Sequence, residues 1–296
     1  MGKFGLSEVA FRELAERVSN AGRWGAHDAL GALNHITDAT RREAMGLARD
    51  GITVPCGLTV PTDAASAELR PDRAHGGTWE AVNERLSLEL HGWPLTHLDA
   101  LGHVAYDGCT YNDRPVTLPA PAATGIVAAR EGILARGVLI DLPRTMGLPF
   151  LQPGQAARLD DVRRALGDAG LALRTGDVPL FRFGTWQYER VTGGAVALEA
   201  APGISVDCAE WLHASDPALI VSDFGLDVAP SEVEGVPIPM HVLTLARMGI
   251  RLVDCADLDA LAETCERLGR WEFLLVIAPV AIEGATSSPV NPVAVF

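Results

Sequence analysis

The chain has 296 residues, 48% of them hydrophobic, and a formal net charge of -14. That length and apolar content suffice for one large buried core, while an acidic balance without clustered Lys and Arg excludes the electrostatic footprint of a nucleic-acid binder. No apolar run approaches the roughly 20 residues of a membrane-spanning helix, and the N-terminal stretch alternates apolar with charged residues, so neither a secretion signal nor a membrane segment is expected.

In chain order, Ser7 is placed to cap a first helix carrying Val9, Phe11, Leu14 and Val18 at helical spacing. A Gly-rich loop leads to Thr37 or Asp38 as the cap of a second helix that ends near Gly51, and Ile52 to Val60 reads as a strand. Residues 1–50 thus form a helical N-terminal extension. Pro61 to Trp79 is rich in Pro, Asp, Ala and Gly with no apolar period and is expected to be a long loop. Leu86, Leu88 and Leu90 alternate with Ser87, Glu89 and His91, the two-residue period of a strand ending at His91.

Farther on, GVLIDLPR reads as a buried strand, LDDVRRALGDAGL as a short helix, DVPLFRFGTW and PALIVSDFGLDV as further strands. HVLTLARMGIRLVDC gives a helix, Gly249 and a short strand, and WEFLLVIAPVAIEG gives a long apolar strand. Strands outnumber helices without a regular βαβ repeat, and no linker divides the chain. The expectation is one α/β domain over residues 1–296, with a mixed β-sheet core and flanking helices.

The five cysteines, Cys56, Cys109, Cys208, Cys255 and Cys265, are scattered and contain no C-x-x-C. Neither a disulfide framework nor a thiolate zinc finger is suggested, and reduced cysteines in the cytoplasm fit best. Cys255 beside Asp254 is read as a small buried hydrophobe rather than a nucleophile.

The chemistry concentrates in HGWPLTHLDALGH, which holds three of the eight histidines. If Thr96 to Asp99 is extended, His97 and Asp99 project from one face and can reach one ion. Imidazole with carboxylate suits zinc, manganese or ferrous iron, whereas an all-oxygen cage would suit calcium or magnesium. His103, after a short Ala-Leu-Gly turn, can ligate or carry protons, and His91 can approach from the other side. Trp93 and Trp186 are candidates for a substrate pocket, while His27, His35, His75 and His213 have no comparable setting.

The words around these residues carry a resemblance. THLDALGHVAYDGCTYN resembles the metal motif H-x-G-T-H-x-D-x-P-x-H of the cyclase superfamily, which includes bacterial kynurenine formamidase and isatin hydrolase. Thr96, His97, Asp99 and His103 match it, and Leu101 takes the proline position. RWGAHDALGALNHIT resembles the opening of the longer members, and RGVLIDL, GDVPLFRFGTW, PGIS, SDFGLDV, PMHVLTLARMGI and GATSSPVNPVAV follow in family order.

The pattern's first histidine falls at Trp93, so a two-residue insertion that lets His91 take the ligand role is inferred. His241 matches the family's downstream histidine, and Asp254 stands where the family has glutamate, one methylene shorter. The resemblance implies a swivelling β/β/α-like fold, a divalent ion such as Mn2+ or Zn2+, and a homodimer or homotetramer. It also implies hydrolysis of a small-molecule amide, cyclic amide or ester through a metal-activated water. In that reading His91, His97 and Asp99 hold the ion, His103 shuttles protons, and His241 and Asp254 assist catalysis or ligation. The alternatives are a cyclase or dehydratase that consumes no water, and a non-catalytic binder of small molecules.

Overall fold

The computed structural model describes residues 5–62, 67–91 and 95–296. Nine strands form one mixed sheet: β1 (Thr53–Pro55), β4 (His97–Asp99), β5 (Ile133–Asp141), β6 (Val178–Arg182), β7 (Leu219–Ser222), β8 (Arg251–Asp254), β9 (Glu272–Ile277), β10 (Ser287–Pro289) and β11 (Val293–Val295). The spatial order is β1-β11-β9-β5-β6-β7-β8-β4-β10. The four central strands β5 to β8 run parallel, and every flanking pair is antiparallel. Short apolar runs such as GVLI and LIV form these central strands because both sheet faces are covered, so no polar alternation is required.

Two buried clusters follow the two faces. Val138, Ile140, Phe181, Ile220 and Leu252 point into one, and their chain neighbours Leu139, Leu180, Leu219, Val221 and Val253 into the other. The first face is covered by α1 (Glu8–Arg17), α4 (Leu159–Asp168), α6 (Ala209–Ser215) and α7 (Pro239–His241) with the helical segment that continues it. The second packs beneath α8 (Asp259–Leu268) and the C-terminal Phe296. Between α1 and α4 come α2 (Asp38–Met45) and α3 (Leu142–Met146), and α5 (Thr185–Thr192) follows β6. No helix among the described residues is long and apolar enough to cross a membrane.

Several sequence expectations change. Most of the stretch expected to be a loop is ordered as β2 (Ala67–Gly76), which pairs antiparallel with β3 (Trp79–Leu88). Nearly every residue of this ribbon is exposed, so no burial imposes an apolar period on it. Residues 63–66 lie outside the described residues. β3 stops at Leu88, leaving His91 in the turn beyond. The second helix ends at Met45 rather than near Gly51, and β1 is only three residues long. β9 stops at Ile277, two residues before Pro279, which lacks the amide a ladder needs. The TW of DVPLFRFGTW opens α5 instead of extending β6.

The N-terminal segment is tied to the sheet by buried contacts. Phe11 is fully buried, Ala32 N–H donates to the Gly249 carbonyl at 2.8 Å, and the fully buried Arg251 donates to the Leu30 and Ala29 carbonyls. Arg23 forms a two-pronged pair with Asp216, His35 Nε2 lies 3.4 Å from Asp216, and His213 Nε2 lies 3.2 Å from Asn20 Oδ1.

Burial lowers the pKa of both His35 and His213, more than Asp216 raises it. The unfolded chain therefore takes up protons near pH 6.5 that the folded chain resists. Stability contributed by these two rings is complete above that value and falls as the pH drops through it. The melting temperature is expected to fall more steeply between pH 7.5 and 5.5 in the parent protein than in a His35→Gln/His213→Gln variant. Equal slopes in differential scanning calorimetry would remove this cluster from the account.

Candidate metal centre

Strand register assembles the site. β4 lies between β8 and β10, with His97 opposite Asp254 and Asp99 opposite Ser287. Residues directly opposite in an antiparallel pair share a face, as do residues two apart in a strand. His97, Asp99, Asp254 and Ser287 therefore rise from the same side. Thr96 fixes the strand's position: its hydroxyl donates to the Cys255 carbonyl at 2.6 Å and accepts from Leu58 N–H at 2.9 Å.

After β4 the chain turns sharply, with His103 N–H bonded to the Ala100 carbonyl. Gly102 is needed there, because a Cβ would stand 2.9 Å from the Thr124 carbonyl oxygen. The turn brings His103 back over the strand, where its Nε2 lies 3.8 Å from Asp99 Oδ2 and its ring stacks on His91 at 4.1 Å between centroids. His91 enters from beyond β3: its Nε2 lies 3.1 Å from Asp99 Oδ1 and 3.0 Å from Ser287 Oγ. Ser287, His91 and Asp99 all meet at this one ring nitrogen. They cannot form a nucleophilic relay in which serine and carboxylate hold opposite nitrogens of the imidazole.

His241 belongs to a helix whose first turn, Pro239–His241, passes into a π-helical segment, Val242–Met248. π-Helical turns recur at functional sites. Its start is held by Asp227, which accepts from Met240 N–H and His241 N–H and also bonds His241 Nδ1. His241 Nε2 then faces Asp254 Oδ2 at 3.0 Å, and Asp254 Oδ1 accepts from Ser222 Oγ at 3.2 Å. Gly203 permits the backbone to pass behind Asp227, since a Cβ there would meet the Asp227 carbonyl carbon at 2.3 Å.

Two donor groups result, each with ligand atoms within 4.8 Å of one another: His91, His97 and Asp99, and Asp99, His241 and Asp254. Asp99 is common to both. Donors about 2.1 Å from one ion at tetrahedral angles stand about 3.4 Å apart, and the separations of 3.1 and 3.8 Å from Asp99 Oδ1 to His91 and His97 bracket that spacing. His97 Nδ1 bonds the Leu95 carbonyl at 2.8 Å, as His241 Nδ1 bonds Asp227. In both rings this leaves Nε2 as the available donor, the arrangement that orients metal-binding imidazoles. The residues present fit a divalent ion held by mixed nitrogen and oxygen ligands.

The electrostatics agree. Burial alone would raise the Asp99 carboxylate, but His91, His103, His97 and His241 outweigh it and hold it below its ordinary value. Burial would likewise lower His241, yet Asp254 and Asp227 raise it well above the usual histidine range. Burial lowers His103, which keeps that ring unprotonated at neutral pH.

These groups line a cavity of about 580 Å³ whose other walls are mostly apolar, among them Phe224, Pro230, Pro237 and Ile238. Trp186, expected in the pocket, is not among the described residues that line it. It is buried and donates from its indole to the Ala256 carbonyl at 2.8 Å, a structural contact behind Cys255. Trp93 lies outside the described residues. Asp227 and Ser287 were not singled out from the sequence, although both lie in quoted family words, SDFGLDV and GATSSPVNPVAV.

The fold and the histidine-carboxylate cluster define a class of α/β proteins with a candidate metal centre near one edge of a mixed sheet. The chain belongs to the Cyclase family, whose model matches residues 52–228, more than half of its length. A crystal structure described as a novel cyclase is 25% identical with a TM-score of 0.82, the match covering 95% of this chain and 99% of that one. Isatin hydrolase A from Ralstonia solanacearum is 20% identical with a TM-score of 0.54, over 88% of this chain and 97% of that one. Isatin hydrolase A from Labrenzia aggregata, solved with benzyl benzoate, is 17% identical with a TM-score of 0.56, over 87% and 98%. No curated protein matches the chain.

Proposed function

We propose that the chain is a metal-dependent hydrolase of a small-molecule amide, cyclic amide or ester. The observation that carries this reading is the pair of donor groups sharing Asp99 at the base of an apolar-walled cavity. When bound, a divalent ion such as Mn2+ or Zn2+ supplies Lewis acidity toward a carbonyl oxygen and an acidified water at neutral pH.

The chain's own residues supply the rest. His91, His97 and Asp99 hold the ion, with His241 and Asp254 completing or supporting the set. His103 stands beside Asp99 without belonging to either donor group, and its Nε2 takes a proton from the attacking water and returns it to the leaving nitrogen or oxygen. The apolar walls seat the body of the substrate and exclude bulk water. The name isatin hydrolase borne by two structural neighbours supports the cyclic amide branch. The reading carries with it a homodimer or homotetramer. The cysteines, unpaired in the structure, fit the cytoplasm.

Stripping the protein with a chelator and reconstituting it with Mn2+ or Zn2+, against a panel of formamides, lactams and esters, tests the reading. Turnover is expected to vanish on stripping, to return with one of the ions, and to place oxygen-18 from labelled water in the product. Turnover without label would instead establish a cyclase or dehydratase. Ligand binding without retained metal or turnover would establish a non-catalytic binder.

A further inference from the structure

Four acidic side chains line the cavity, Asp99, Asp227, Asp254 and Glu199, and among the described residues no lysine or arginine joins them. Three of these acids are engaged. Asp99 faces imidazoles, Asp254 bonds His241 and Ser222, and Asp227 caps the helix of His241. Glu199 differs: it sits on a single turn, Leu198–Ala200, its side chain is exposed, and no hydrogen bond or ion pair engages it among the described residues. It belongs to neither donor group, so an ion bound to the histidines and aspartates would leave its charge uncompensated. Leu198 and Ala201, which lie beside it in the chain and also line the cavity, carry no polar side chain to compete for it.

We propose that Glu199 is a specificity-determining residue, which favours substrates bearing a cationic group on the end away from the reacting carbonyl and disfavours substrates bearing an anion there. This rests on the hydrolase reading for its substrate class. A cation entering the cavity gains a carboxylate partner beside apolar surface, whereas an anion meets a like charge and finds no basic side chain to receive it. A partly exposed ion pair of this kind is worth about two- to fivefold in affinity and is weakened by salt.

The test uses three phenylacetate esters of one alcohol, with trimethylammoniomethyl, neopentyl or sulfonatomethyl at the para position, each rate normalised to its alkaline hydrolysis. The metal-loaded protein is expected to show kcat/KM in the order cationic, neutral, anionic, with the cationic ester favoured over the neutral one about two- to fivefold and the difference residing in KM. Glu199→Gln is expected to bring that ratio close to one, as is 0.5 M NaCl in the parent protein, whereas Glu13→Gln on α1 leaves the ratio unaltered. Calorimetric binding of benzyltrimethylammonium against neopentylbenzene gives the same comparison without turnover. Lack of hydrolysis of all three esters, and of the formamides and lactams above, together with a Glu199-dependent preference for the cation in calorimetry would sink the hydrolase reading and keep the selection rule. A preference for the anion, an absence of cation binding, or a ratio that survives Glu199→Gln overturns the proposal.

Discussion

Asp99→Asn is expected to abolish metal retention and to lower turnover by about a thousandfold or more, the scale on which an activated water differs from a free one. Asp99 is the one side chain common to both donor groups, so its charge serves either a single ion or a pair. Asparagine keeps the shape and removes the charge. It also presents an amide nitrogen, a donor, toward imidazole nitrogens that must offer lone pairs to the ion. His97→Ala is expected to behave similarly, since His97 Nε2 is directed into the cavity by the bond from Nδ1 to Leu95.

Metal content by plasma emission and the melting temperature with and without added ion separate loss of the site from loss of the fold. The ion should raise the melting temperature of the parent protein, because it binds only the assembled site, and should leave that of both variants unchanged. Full metal stoichiometry in Asp99→Asn would show that the centre lies elsewhere.

The core of this site was legible because it is local. His97 and Asp99 share a face by the two-residue period of a strand, and a short turn returns His103. What completes the centre was not legible from local pattern, because it depends on register between distant strands: the family resemblance supplied His241 and Asp254, and Asp227 and Ser287 were not singled out. Asp254 stands beside His97 only because β8 pairs with β4, and Ser287 reaches His91 only because β10 closes the sheet edge. The central strands were visible as apolar runs because both faces are buried. The ribbon of β2 and β3 was not, because solvent on both sides leaves Arg, Asp, Asn and Glu free to occupy any position. The packing of Trp186 was not legible for a related reason. An aromatic residue type does not say which surface it packs on, and here its indole anchors Ala256.

Asp227→Asn is expected to weaken metal binding at the group formed by Asp99, His241 and Asp254 by about ten- to a hundredfold, the usual cost of losing the partner of a ligating histidine, with turnover falling in step. The carboxylate accepts from Met240 N–H and His241 N–H and also bonds His241 Nδ1. It thereby fixes both the start of the helix and the proton on Nδ1, which frees Nε2. An asparagine has one accepting oxygen and one donating nitrogen, so it cannot satisfy this set. If its oxygen serves the backbone amides, its nitrogen faces Nδ1 and favours the tautomer with the proton on Nε2, which blocks ligation. The parent and the variant should retain similar secondary structure by circular dichroism. With zinc added, imidazole nitrogen NMR should report His241 of the parent with its proton on Nδ1 alone, and His241 of the variant still bearing a proton on Nε2. A variant with unaltered metal affinity and unaltered tautomer would show that His241 is held by Asp254 alone.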